Sequence, residues 1–118
     1  TIQSNVKKGR MSQDKATQLL RSLKTTQRME DLSSCVLVVE AVIENMKIKK
    51  DIFSKLDQIT SPECILLSNT STLSIDEMAS AVSPSRRPRF AGWHFFSPAR
   101  IMKLVEIVQG KATSLDTT

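Results

Sequence analysis

The residues best equipped for chemistry lie between Trp93 and Glu106, in the order Trp-His-Phe-Phe-Ser-Pro-Ala-Arg-Ile-Met-Lys-Leu-Val-Glu. This stretch holds the only histidine and the only tryptophan of the chain, and two of its four phenylalanines. It ends on Glu106, a carboxylate set inside the apolar run Leu104 to Val108. An imidazole among aromatics, followed by a near-buried carboxylate, has the parts of a general base. The carboxylate accepts a hydrogen bond from one ring nitrogen, and the other nitrogen is free to take a proton near neutral pH. A plain reading stands beside this one, in which His94 is a satisfied core residue next to phenylalanine. His94 and its spacing alone leave both open.

The elements that must hold these side chains follow from hydrophobic pattern and caps. Residues 2 to 10 read as the end of a helix closed by Gly9 as a left-handed cap. Ser12 caps a second helix, with Ala16, Leu19, Leu20 and Leu23 as one apolar stripe. Thr25 to Arg28 is β-prone and is expected as a short strand, and Asp31 to Ser34 as a turn. Val36 to Val39 is a continuous apolar run, as expected of a parallel strand covered on both faces. Asn45 caps a helix over about 46–59, with Ile48, Ile52, Leu56 and Ile59 on its apolar side, and Ser61-Pro62 stops it. Cys64 to Leu67 is a second strand, followed by the polar loop Ser68 to Thr72. Ser74 and Glu77 form a capping box for a helix reaching about Val82. After the loop Ser83 to Pro88, residues Arg89 to Phe95 and Leu104 to Val108 are third and fourth strand candidates. The tail, residues 111–118, is polar and expected to fray.

Strand, helix, strand, helix, strand at these intervals predicts an α/β fold with a mostly parallel sheet and right-handed crossovers. Ligands in such sheets sit beyond the carboxyl ends of the strands. Three polar segments fall there: Glu44, Ser68 to Thr72, and His94 to Ser97.

The composition narrows the classes. A chain of 118 residues is at most one domain. No apolar run approaches the ~20 residues of a membrane span, and the first residues lack the apolar core of a secretory signal. The chain begins with Thr1 rather than methionine, which suggests a piece of something longer. Cys35 and Cys64, far apart and without CxxC spacing, are expected as buried free thiols of a reducing compartment, with no metal site. The net charge of +5 is uneven: residues 1–30 hold seven Lys/Arg against Asp14 and Glu30, and the rest balances ten against ten. Such a segment suits nucleic acid, a phosphorylated small ligand, or a solvated helix face; no aromatic is interleaved for base stacking.

Three segments together resemble one family. Val39-Glu-Ala-Val-Ile-Glu-Asn45, Ser68-Asn-Thr-Ser-Thr-Leu73, and Gly92-Trp-His-Phe-Phe-Ser-Pro98 with Met102-Lys-Leu-Val-Glu106 are similar, in order and spacing, to the L-3-hydroxyacyl-CoA dehydrogenases. The resemblance runs from about Asn5 to Gly110. It implies oxidation of a 3-hydroxyacyl-CoA to the 3-ketoacyl-CoA with NAD. His94 would match the general base, Glu106 its orienting partner, and Ser71 the serine that bonds the substrate's 3-oxygen near the nicotinamide. Glu44 and Lys49 would match contacts to the dinucleotide. Ser97 stands where many members have a cofactor-side Asn, with a shorter reach. Lys8, and less securely Lys7, would match the lysine that holds a CoA phosphate, which would explain the basic segment as a clamp for a polyanion. Ser97-Pro-Ala99 and Val6-Lys-Lys-Gly-Arg-Met11 resemble the peroxisomal multifunctional β-oxidation proteins, so a peroxisome is expected, with the mitochondrial matrix as the alternative.

The chain also departs from the family. Its three glycines, Gly9, Gly92 and Gly110, cannot build the glycine-rich turn that seats a pyrophosphate. The expectation is therefore an incomplete Rossmann-type, doubly wound domain lacking the first strand and that loop. Residues 1–110 would be part of the NAD-binding domain, with the helical C-terminal domain absent. In the intact protein a homo-oligomer or a multifunctional chain is expected, without a nucleic-acid partner. The rivals are a non-catalytic structural relative of the lens-crystallin type and a basic nucleic-acid-binding module.

Overall fold

Three apolar runs build the sheet. Leu37–Glu40 (β1), Ile65–Ser68 (β2) and Phe90–Phe95 (β3) lie side by side and parallel in the computed structural model, which describes all of residues 1–118. Val105–Gln109 (β4) adds antiparallel to β3, so the order is β1-β2-β3-β4. The mostly parallel α/β sheet expected from the sequence is present.

The crossovers are Met46–Ile59 (α3) and Ile75–Ala79 (α4). Their caps form as expected: Asn45 Oδ1 accepts from the Ile48 amide at 3.1 Å, and Ser74 Oγ from the Glu77 amide at 3.2 Å. α4 stops at Ala79 rather than Val82, because the amides of Ala81 and Val82 turn to carbonyls three residues back and Ser80 Oγ bonds the Glu77 carbonyl. Such bonds tighten and end a last turn.

Both helices cover the same face of the sheet. Phe53 and Leu56 from α3 and Ile75 and Met78 from α4 pack on Val38, Leu66 and Phe90, with the Phe53 and Phe90 rings edge to face at 4.6 Å. The buried stripe of α3 is Lys49, Phe53 and Leu56, whereas Ile48 is 41% exposed. Leu56 is buried and Ile52 and Ile59 pack against the core as expected, but the helix is turned toward Phe53 and Lys49 and away from Ile48. Burying the large Phe53 ring outweighs one aliphatic side chain, but the rotation carries Lys49 inside.

The opposite face is only partly covered: Leu67 and Ala91 are buried, but Leu37 on the edge strand β1 is 37% exposed and Ile107 on β4 50%, so the expected cover of β1 on both faces is not met. Every core residue, and every side chain packed against that core, lies at or beyond Met29. Ile2–Lys7 (α1) and Gln13–Ser22 (α2) form a hairpin turned at Gly9, whose φ of 65° is the left-handed conformation open to glycine. Only Ala16 of the expected α2 stripe is buried; Leu19, Leu20 and Leu23 remain exposed because α2 packs mainly against α1.

Thr25 to Arg28 is not a strand. It has no ladder neighbour, and the Thr26 hydroxyl oxygen instead accepts from the Arg28 amide in a local turn that also engages Asp31. Nor is the tail frayed: Thr113 donates to the Phe90 carbonyl at 2.6 Å, and Ser114 and Thr117 donate to that of Pro88. Its hydroxyls satisfy carbonyls at the start of β3. Cys64 is buried, and burial pushes its thiol pKa up; Cys35 is only half-buried. No helix is long and apolar enough to cross a membrane.

Candidate active site

His94 and Glu106 stand directly opposite each other across the β3–β4 ladder. Paired residues share a face of a sheet, so register alone brings their side chains together. His94 Nδ1 lies 2.9 Å from Glu106 Oε2. An ionised carboxylate only accepts hydrogen bonds, so in the neutral imidazole Nδ1 carries the proton and Nε2 keeps its lone pair. Nε2 faces the Ser71 hydroxyl at 3.2 Å, and the Phe96 ring lies 4.8 Å from the imidazole, centre to centre. The His94 side chain is 19% exposed and that of Glu106 52%, which leaves the imidazole at a solvent-open rim.

The Ser71 loop is anchored at two further points. Asn69 Oδ1 accepts from the Phe95 amide at 2.9 Å, which ties the loop to β3 beside His94. Glu44 Oε1 accepts from the Thr70 hydroxyl and from the amides of Ser71 and Thr72 at 2.6, 3.0 and 3.3 Å. Burial alone would raise the Glu44 pKa, but these three donors and the nearby Lys49 charge outweigh it and hold the carboxyl below its usual range.

Glu44, Ser71, His94 and Glu106 therefore meet at the carboxyl ends of β1, β2 and β3. Lys49 lies behind them with its side chain fully enclosed, paired with Glu40 at 2.8 Å and Glu44 at 3.4 Å. It faces the protein interior and is not open to solvent. Ser97 is exposed just past β3. Lys7 and Lys8 lie exposed at the end of α1, in no ion pair, and outside this cluster. No group of three His, Cys, Asp or Glu side chains is placed to hold a metal ion.

The family description "3-hydroxyacyl-CoA dehydrogenase, NAD binding domain" matches residues 1–118. The chain belongs to this family. Its sequence is 41% identical over 113 residues to the peroxisomal fatty acid beta-oxidation multifunctional protein AIM1 of Arabidopsis thaliana, covering 96% of this chain and 15% of that protein. It is 42% identical over 109 residues to the 3-hydroxybutyryl-CoA dehydrogenase of Clostridioides difficile, covering 92% and 38%. The crystal structure of 3-hydroxybutyryl-CoA dehydrogenase from Escherichia coli K12 superposes with a TM-score of 0.92 at 34% identity, over 98% of this chain and 24% of that one. The chain thus spans well under half the length of these 3-hydroxyacyl-CoA dehydrogenase relatives.

Sequence reasoning missed Glu40 behind this candidate site, and it singled out Lys49 as a dinucleotide contact rather than as a buried partner of Glu40. Glu40 closes an apolar run, and Lys49 shares the α3 stripe with Phe53 and Leu56; a charge on each of two buried elements is the signal that they pair. Thr70 and Asn69 lay inside the loop already singled out, but their partners Glu44 and Phe95 are 26 positions away in each case.

Proposed function

We propose that this chain is the catalytic-base half of the NAD-binding domain in an enzyme that oxidises (S)-3-hydroxyacyl-CoA to 3-ketoacyl-CoA. The observation that carries the reading is His94 held between Ser71 and Glu106, at 3.2 and 2.9 Å. His94 Nε2 takes the proton of the substrate's 3-hydroxyl. Glu106 fixes the ring and stabilises the imidazolium that results. The Ser71 hydroxyl donates to the 3-oxygen and holds it against Nε2. NAD, when bound, accepts the hydride that leaves C3. The strand ends suit a dinucleotide: Val42 and Ile43, 41% and 69% exposed, offer an apolar ledge beside the polar Glu44, Ser71 and Ser97. Lys8, with Lys7 next to it, would meet a CoA phosphate.

Three separated glycines supply no pyrophosphate cradle within these residues. The 118 residues alone are accordingly expected to bind NAD weakly and not to turn over; activity belongs to a protein of the relatives' length. The test follows NADH consumption with acetoacetyl-CoA. Turnover by the 118-residue chain itself would refute the incomplete-domain reading. At full length, His94→Ala should lower kcat by about 10² to 10⁴, with NAD affinity nearly intact. A proportional loss of NAD binding would make His94 structural.

The peroxisomal and glyoxysomal plant relatives, together with Ser97-Pro-Ala99, favour a peroxisomal multifunctional parent over a mitochondrial one. A mitochondrial distribution of the tagged full-length protein would overturn that choice.

A further inference from the structure

Behind the site lies an ion pair that the chemistry above does not use. Glu40, at the end of β1, is 4% exposed and Lys49 is wholly buried. A buried pair is often no more stabilising than apolar side chains of the same volume, so stability explains its presence poorly. Its contacts offer a better account. Lys49 Nζ donates to both Glu40 oxygens at 2.8 and 3.0 Å and to the Val42 carbonyl at 3.4 Å. Glu40 accepts from the Val42 amide at 2.6 Å and the Ser68 hydroxyl at 2.7 Å. The pair therefore ties together the two loops that leave β1 and β2.

Lys49 Nζ also reaches Glu44 Oε2 at 3.4 Å. The other Glu44 oxygen takes the Thr70 hydroxyl and the Ser71 and Thr72 amides. We propose that Glu40 and Lys49 are positioning residues that, through Glu44, hold the Ser71 hydroxyl against His94. The Glu44 side chain is 39% exposed, so without the ammonium behind it the carboxylate is free to turn to water and release the loop. The inference rests on His94 being the base.

His94 is the only histidine, so its ring nitrogens give the only imidazole signals in a nitrogen-15 spectrum. The test compares wild type with the charge-neutral double variant Glu40→Gln, Lys49→Met, and with Ser71→Ala. The glutamine keeps an acceptor for Val42 and a partner for Ser68, while the tie to Glu44 is lost. The double variant should keep the amide pattern of α3 and the core. Its Nε2 signal should move at least half of the way to the Ser71→Ala position, and the Ser71 and Thr72 amides should shift with it. Nε2 and both amides at wild-type positions in a folded double variant would reduce the pair to a structural anchor and overturn the proposal. Should that variant not fold, acid titration of wild-type Glu44 must move the Lys49 Nζ and Ser71 amide signals together; an unresponsive Nζ overturns it equally. No readout requires NAD, CoA or turnover. Moved signals with no dehydrogenase activity in the full-length protein would therefore sink the dehydrogenase reading alone, and the reverse would sink this one alone.

Discussion

Glu106→Gln separates charge from geometry at the proposed base. Glu106 Oε2 lies 2.9 Å from His94 Nδ1 across paired strands, and glutamine can keep an acceptor there but not the charge. The two side chains are 52% and 19% exposed, so water screens the pair in part. A fully exposed ion pair contributes up to about 1 kcal/mol and a hydrogen bond to a charged group up to about 3 kcal/mol; this half-screened case falls at about 1–2 kcal/mol. At about 1.4 kcal/mol per tenfold, kcat should fall about 5- to 30-fold, well short of the loss of the base itself. KM should change little, because the charge matters once the imidazolium forms and not while substrate binds. Stability should stay within about 0.5 kcal/mol, since the side chain is half exposed on the edge strand β4. The assay is steady-state NADH formation with (S)-3-hydroxybutyryl-CoA by the full-length protein, with a thermal melt on the same sample. An unchanged kcat would leave Glu106 a bystander. A loss as large as that of His94→Ala, with an unchanged melt, would make the carboxylate the proton carrier.

Ser71→Ala removes the hydrogen bond proposed to the reacting oxygen and should lower kcat/KM about 5- to 30-fold with no loss of secondary structure by circular dichroism, the scale of a hydrogen bond worth about 1–2 kcal/mol. Glu44 has a folded pKa below its ordinary 4.5, so its contribution to stability is present above pH 4.5 and is lost as pH falls through the folded value. The stability gap between wild type and Glu44→Gln, from denaturant unfolding across pH, should therefore close in acid; a gap independent of pH refutes this. Gly92→Ala would bring a Cβ to 2.9 Å from Ile75 Cδ1 and 3.0 Å from Val108 Cβ, between β3, β4 and α4. Overpacking of this kind costs about 1–3 kcal/mol, so the melting temperature should drop; an unchanged melt would mean the sheet yields freely there.

Much of the site was legible because its parts are close in sequence or end predictable elements. His94 and Glu106 are twelve positions apart on two strands, near enough for a tight antiparallel return, and Ser71 follows the apolar run of β2. The Lys49 environment was not legible. Ile48 was expected on the apolar side, and only the packing of Phe53 against Phe90 turned the helix away from it and carried Lys49 inside. The exposed β1 edge was unreadable for the same reason, since a run such as Val36 to Val39 looks alike whether one face or two are covered. The tail was misjudged because polarity predicts fraying only where no unpaired carbonyls wait nearby, and Pro88 and Phe90 supply them.

By itself the sequence determined what acts within a few residues: the caps at Asn45 and Ser74, the left-handed turn at Gly9, the strand runs, and the presence of an imidazole, a carboxylate and a hydroxyl. The tertiary structure alone decided which face each side chain meets. A slip of one residue between β3 and β4 would put His94 and Glu106 on opposite sides of the sheet. It also decided that Lys49 turns inward to Glu40 and Glu44. Caps and periodicity are satisfied by near neighbours along the chain, whereas register and burial depend on partners brought in from dozens of positions away.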